Sequence, residues 1–334
     1  MNVLILTQPM LNNYGGILQN YALQKALEKF ECQPCTIDWL PPKESLYIYI
    51  RSWFKTIMLY LVGKKRPFAK IEKLRYRNEN FNDFVNVFIR KTICTRGINA
   101  ACLKCSDVVI VGSDQVWRPK YNYRIKEMFL DFCKKKKLLK RIAYAASFGV
   151  DNWEYTPKQT RVCAKLAKKF DAISVREESG VKLCKEHLNV DATWVLDPTL
   201  LLTEEDYLPI CEEVPVCNEK YLAVYVLDEN EAVTAIYEKE AVARGLVVKK
   251  FHADSKSTLT VPEWLAMFRD ASYVVTDSFH GTVFSIIFGK EFKCVYNKGR
   301  GAARFESLLK LYNLGKLDEM RDFSLSWLKK ALEN

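Results

Sequence analysis

The sequence predicts an α/β protein of two Rossmann-like lobes facing a central cleft, and three observations carry that prediction. Its 334 residues exceed one ordinary core, so roughly two domains are expected. With 49% hydrophobic and 13% aromatic residues, the chain has enough apolar surface to bury them. Short apolar runs alternate with helical patterns along the chain, the signature of parallel, doubly wound sheets.

Asn2 to Thr7 reads as the first strand, Gly16 to Phe30 as a helix and Cys35 to Trp39 as the second strand. Further strands are expected at Asp107 to Val111, Arg141 to Ala145, Ala172 to Val175 and Thr193 to Leu196, with helices over Lys158 to Phe170 and Glu177 to Glu186. Thr203 to Lys220, acidic and carrying Pro209 and Pro215, reads as a linker. Tyr221 to Leu227, Leu246 to Phe251, Tyr273 to Thr276 and Phe292 to Tyr296 then supply a second set of strands. The expected division is an N-terminal lobe over 1–202 with a basic helical insertion near 45–90, a linker over 203–220, and a C-terminal lobe over 221–334 that includes the last helix.

The formal charge of +11 is unevenly spread. Arg51 to Arg77 holds nine Lys or Arg against the single acid Glu72, interleaved with Trp53, Phe54, Tyr60 and Phe68. Such a segment suits an anionic membrane surface or an acidic substrate, or is simply a solvated face. Lys134 to Arg141 (KKKKLLKR) is a second basic cluster. No nucleic-acid recognition motif accompanies the charge, so nucleic acid is not the expected partner.

The start, MNVLILTQPM, lacks the basic n-region of a signal peptide, and the apolar stretch Tyr47 to Gly63 is interrupted by Arg51 and Lys55. A soluble, cytoplasmic protein is expected, peripheral at most to the inner face of the membrane. The eleven cysteines include two CxxC pairs, Cys32 with Cys35 and Cys102 with Cys105, too far apart for a zinc ribbon. They read as reduced thiols, with no metal and no cofactor.

In doubly wound sheets ligands bind at the carboxyl ends of strands, which sorts the motifs. Asn12, Asn13, Tyr14, Gly15 and Gly16 follow the first strand and precede the helix carrying Gln19. Gly112, Ser113, Asp114, Gln115 and Trp117 follow the third; Ser147 to Gly149 and Arg176 follow the next two. Thr276 to Gly289, TDSFHGTVFSIIFG, is the most informative stretch, because Ser278, His280 and Gly281 fall where a strand hands over to a helix. Free N–H groups and the helix dipole make that turn a seat for phosphate or carboxylate. An imidazole there can also move a proton, although His280 as a simple helix cap reads equally well. Of the other histidines, His187 sits in a polar helix, and His252 ends a strand of the second lobe as an alternative acid.

Six ordered blocks, NNYGGILQNYALQ, DVVIVGSDQVW, RIAYAASFG, AISVREESGV, VLDPTLLL and TDSFHGTVFSIIFG, together resemble the polysaccharide pyruvyl transferases. The resemblance runs from about Asn2 to Leu309 and is weakest over the basic segment. It implies a fold like that of the two-lobed, B-type glycosyltransferases. It also implies transfer of the enolpyruvyl unit of phosphoenolpyruvate onto a sugar of a cell-surface polysaccharide precursor, with a pyruvate ketal and phosphate as products. By the same resemblance Arg176 and His280 handle phosphoenolpyruvate, and Lys298, Arg300 and Arg304 compete for a third anion contact. The acceptor sugar is expected to be lipid-linked.

The residue chemistry suits that donor. Arg176 has the planar fork that binds carboxylate or phosphate bidentately. His280 is the candidate acid for C3 of the enol ether. Asp114 is the candidate base or orienting acceptor for the sugar hydroxyl, against a capping role on its own turn. Asn13, Tyr14, Gly15, Gln19, Ser113, Trp117, Ser278 and Gly281 complete the expected substrate contacts. A nucleotide-sugar glycosyltransferase on the same fold and a non-catalytic glycan-binding protein are the competing functions.

Overall fold

The computed structural model describes residues 1–39, 79–94, 98, 100–103, 106–122, 124–133, 139–252, 258–296 and 302–333. The basic segment Arg51 to Arg77, most of Lys134 to Arg141, Cys105, Lys298 and Arg300 lie outside them.

The first lobe begins β1 (Asn2–Leu6), α1 (Tyr14–Glu28) and β2 (Gln33–Trp39), followed by α2 (Glu79–Phe88) and β3 (Lys91–Cys94). Then come β4 (Val108–Val111), β5 (Lys140–Ala146), α3 (Pro157–Ala167), β6 (Ala172–Val175), α4 (Glu178–Leu183) and β7 (Thr193–Trp194). The seven strands are parallel in the order β3-β2-β1-β4-β5-β6-β7. β4, buried along its whole length, reads as an unbroken Val-Val-Ile-Val run because both faces of the sheet are covered. The edge strand β3 went unread in the sequence, since Lys91–Cys94 is short and only partly buried.

The second lobe follows a short α5 (Glu204–Tyr207) and consists of β8 (Tyr221–Tyr225), α6 (Glu231–Arg244), β9 (Val247–Phe251), α7 (Val261–Arg269), β10 (Tyr273–Thr276), α8 (Phe279–Ile287) and β11 (Phe292–Cys294). Its parallel sheet runs β11-β10-β8-β9. α9 (Ala302–Asn313) and α10 (Leu317–Glu333) close the chain.

Strand order reverses between β1 and β4 in one sheet and between β8 and β10 in the other. At such switch points successive connections leave toward opposite faces and open a crevice at the strand ends.

α1 lies between the lobes and buries almost all of its surface. Ile17, Leu18 and Tyr21 join a core shared with Trp264, Phe268 and Phe284 of the second lobe, while Leu23, Ala26 and Leu27 pack on the first sheet. Tyr14 stacks on Trp264 at 5.1 Å and 9°, worth about 0.5–1.5 kcal/mol beyond its buried area. The expected linker is part of this core too. Thr203 forms a capping box with Asp206, and Tyr207, Ile210 and Cys211 are buried against the α1 side chains.

Two expectations need correction. The last helix does not stay with the second lobe: Leu328, Ala331 and Leu332 of α10 pack beside Val3 and Ile5, and Lys140 Nζ donates to the Leu332 carbonyl at 2.6 Å. An amphipathic terminal helix goes to whichever apolar face is uncovered, and here that is the back of the first sheet. The reading of the cysteines as separate thiols changes at Cys94 and Cys102, whose Cα atoms lie 6.7 Å apart, within the span of a disulfide.

Candidate active site

A cavity of about 270 Å³ lies between the lobes, at both switch points. Asn13 lines it from after β1, Asp114, Gln115 and Tyr121 from after β4, and Leu227 from after β8. Asp277, Ser278, Phe279 and His280 line it from after β10, with Arg304 and Phe305 from α9.

Side-chain amides and carboxylates fix the loops on each side. Gln19 donates to Thr7 Oγ1 at 3.0 Å and accepts from the Ser113 N–H at 3.1 Å, tying α1 to the ends of β1 and β4. Across the cleft, Asp277 accepts from the N–H groups of Leu227 at 2.6 Å and Asp228 at 2.9 Å, tying the ends of β8 and β10. The Gln19 bonds, which are buried, hold geometry most firmly, because breaking one strands its partner without water.

His280 occupies the first turn of α8. The reading of His280 as a cap fails, since Ser278 is the N-cap and its hydroxyl accepts from the Gly281 N–H at 3.3 Å. The imidazole, in a residue only 7% exposed, is thereby released to face the other lobe. Gly15, in the first turn of α1, packs so closely on this ring that a Cβ at Gly15 would collide with it. Asn13, the N-cap residue of α1, makes no side-chain cap hydrogen bond. Two helix N-termini, from opposite lobes, therefore converge on one cavity.

Arg176, Asp114 and Asp197 form a buried charge cluster beside His280. Arg176 donates to Asp197 Oδ2 at 2.7 Å and to Asp114 Oδ1 at 3.2 Å, with its guanidinium 4.9 Å from the Phe279 ring centroid. Arg304 lies 5.5 Å from the same ring. Burial alone would raise the carboxyls of Asp114 and Asp197, but the charges of Arg176 and His280 hold both below the usual carboxylate range, and at Asp197 the Arg176 hydrogen bond adds to them. Burial and the charge of Arg176 push the Arg304 guanidinium down to about 10. Asp114 also has φ 69, a costly backbone conformation for a non-glycine residue and one met disproportionately at functional sites. Among the described residues, Arg176 Nε and His280 Nε2 are buried and make no hydrogen bond to another protein group.

The structure thus brings His280, Asp114, Asn13, Ser278 and Arg304 to one cavity, with Arg176 and Gly15 directly behind its wall. Gly281 has no room for a side chain, since a Cβ would meet Thr276 Oγ1. Other expected contacts have structural roles instead. Trp117 is fully buried, stacked on Phe129 at 4.7 Å with Nε1 donating to the Met128 carbonyl. Tyr14 and Gln19 belong to the interlobe core and the loop staple, and Ser113 donates to Ala145 O and Asp197 Oδ2, both at 3.2 Å. His252 is not on the cavity wall, and His187 stacks on Trp153 at 4.4 Å.

Asp197 was missed as a site residue. Its signal was present, in the VLDPTLLL block just after a strand, but an Asp before Pro reads first as a turn or cap. It does cap: Oδ1 accepts from the Thr199 N–H at 3.0 Å and its hydroxyl at 2.7 Å. Gln115, Tyr121, Asp277 and Phe305 also went unassigned.

Two parallel doubly wound lobes, with loops from both switch points lining a small polar cavity, define a two-lobed α/β protein with a candidate ligand site in its cleft. Residues 13–299 match the polysaccharide pyruvyl transferase family, and the chain belongs to that family. No curated protein matches it in sequence. Among solved structures it is similar to the UDP-GlcNAc 2-epimerase from Neisseria meningitidis bound to UDP-GlcNAc, at 11% identity over all of both chains and a TM-score of 0.47. The Methanocaldococcus jannaschii UDP-GlcNAc 2-epimerase, in complex with UDP-GlcNAc and UDP, is 13% identical over 87% of this chain and 83% of its own, with a TM-score of 0.43. The wall teichoic acid polymerase TagF is 11% identical over all of this chain and 83% of its own, with a TM-score of 0.44.

Proposed function

We propose that the protein moves the enolpyruvyl group of phosphoenolpyruvate onto a sugar of a cell-surface polysaccharide precursor, closing a pyruvate ketal and releasing phosphate. The observation that supports this most is His280, whose buried and unpartnered Nε2 stands beside a cavity with Arg304 in its wall and two helix N-termini at its rim. Phosphoenolpyruvate places a phosphate and a carboxylate close together, and such a site answers both.

In this reading His280 delivers a proton to C3, turning the methylene into a methyl and making C2 electrophilic. A sugar hydroxyl forms a bond to C2 as the C2–O bond to phosphate breaks, and a second hydroxyl closes the ketal. Of the two hydroxyl protons released, one restores the proton that His280 gave to C3 and the other leaves on the phosphate as hydrogen phosphate. Asp114, held ionised by its cationic neighbours, is a weak base at neutral pH and acts as the acceptor that orients the incoming hydroxyl.

The test is phosphate release from phosphoenolpyruvate with a glycan acceptor in deuterated water. One phosphate per ketal and deuterium in the product methyl are expected. Turnover of a nucleotide sugar without phosphoenolpyruvate would overturn the assignment, and sugar binding without turnover would indicate a glycan-binding protein.

We further propose that the Arg51 to Arg77 segment holds the enzyme at an anionic membrane carrying a lipid-linked acceptor, on the strength of its nine-to-one excess of basic over acidic residues. Among the described residues no helix is long and apolar enough to cross a membrane. Sedimentation with vesicles should rise with anionic lipid and fall with salt. Equal recovery with neutral vesicles refutes the surface reading.

A further inference from the structure

We infer that Tyr121 is the platform on which a pyranose ring of the acceptor lies, and so a residue that sets acceptor affinity. The inference deepens the proposed function and takes from it only that the acceptor is a sugar. Among the described residues three aromatic side chains line the cavity, and two of them, Phe279 and Phe305, are 6% and 4% exposed. Tyr121 is 52% exposed. It also lines a second, smaller pocket together with Gln8, Trp39, Asn122 and Met128, at the ends of β1 and β2. The ring therefore stands where the cavity continues along the first lobe.

An exposed tyrosine by itself needs no explanation. What marks Tyr121 is its mounting. Arg118, only 2% exposed, holds its guanidinium carbon over the ring, 4.8 Å from the centroid. That guanidinium is itself fixed, because Nε and Nη2 donate to the two carboxylate oxygens of Glu154 at 2.9 and 3.0 Å, and Nη1 donates to Gln115 Oε1 at 3.0 Å. The Tyr121 N–H donates to the Arg118 carbonyl at 3.1 Å, and the Asn122 amide donates to the carbonyls of Gln115 at 3.0 Å and Val116 at 2.9 Å. A loop tied in this way presents the ring at little further cost in lost motion, as a preorganised contact requires. With Arg118 over one face, the other is left for a ligand. A pyranose carries apolar C–H groups across its face and hydroxyls around its edge, so it matches a flat aromatic surface flanked by polar groups. Asp114 and Gln115, in the same cavity, supply that flank. A sugar stacked on Tyr121 lies on the first-lobe wall and leaves the wall of His280 and Arg304 to the donor.

The experiment is saturation-transfer NMR on the full-length protein with the methyl glycosides of glucose, galactose, mannose and N-acetylglucosamine, with and without phosphoenolpyruvate. At least one glycoside should bind, with saturation strongest on the C–H protons of one ring face. Tyr121→Ala and Tyr121→Leu should each weaken that binding at least about tenfold, because leucine keeps the bulk but not the flat face. Tyr121→Phe and Tyr121→Trp should hold it within about threefold. Phosphoenolpyruvate binding, followed by calorimetry, should change less than about twofold in all four variants. In turnover the loss in Tyr121→Ala should fall on KM for the acceptor more than on kcat. A glycoside that binds Tyr121→Ala as tightly as wild type overturns the inference. So does wild-type protein that saturates none of the four glycosides, or a loss in Tyr121→Phe and Tyr121→Trp as deep as that in Tyr121→Ala. Glycoside binding that depends on Tyr121 in a protein with no affinity for phosphoenolpyruvate leaves the platform standing and overturns the proposed donor, so the two failures read differently.

Discussion

His280→Asn should fold as the wild type does and lose about 10² to 10⁴ in kcat, measured as phosphate release with a competent acceptor. Asn keeps a polar side chain of similar reach but cannot carry the proton. Stability should change little, because the helix start is held by Ser278 and not by the imidazole. Removal of His280 leaves Asp197 with Arg176 and Ser113 as partners, so the buried carboxylate remains neutralised. The loss should appear in kcat more than in KM, and deuterium incorporation at the methyl should slow in parallel. Normal turnover would remove His280 from the acid role and leave it as a packing residue beneath Gly15.

Arg176→Lys should cost about 10²-fold in kcat/KM for phosphoenolpyruvate, nearly 3 kcal/mol. The structure changes the reason for this expectation. Arg176 was read as a clamp on the donor, yet its fork spans two carboxylates, with one nitrogen on Asp197 and another on Asp114. A lysine has one ammonium and cannot reach both with the same geometry. Released from Arg176, Asp114 turns on its strained backbone and Asp197 loses its strongest donor. The variant should therefore also be less stable, and its urea midpoint, at unchanged m, should fall with its activity. Wild-type kinetics in Arg176→Lys would show that neither the donor nor the carboxylate pair depends on the fork.

How much of this was legible in the sequence can be argued residue by residue. β4 and β10 were readable because a strand buried on both faces must be apolar throughout, and VVIV and YVVT have no other comfortable place. Their carboxyl ends located the cavity, since strand-end chemistry is a property of topology and topology follows from alternation. His280, Asp114 and Arg304 came with it. Trp117 was misplaced because a side chain six residues past a strand end is free to turn either way, and only packing against Phe129 decides. Asp197 was overlooked for the opposite reason: its local role as a cap accounts for one oxygen, and nothing in the chain says what the other one touches. The destination of α10 was illegible because an amphipathic helix records that it has an apolar face and not which sheet will receive it.

The return of α10 to the first lobe has a mechanical side. The backbone passes between the lobes twice, once through the buried segment around Tyr207 and once on the way from β11 to α10. With α1 and Tyr207 buried in a core that both lobes share, these chain ties and the packing act together, so the two walls of the cavity are held in register and cannot part without stranding apolar surface.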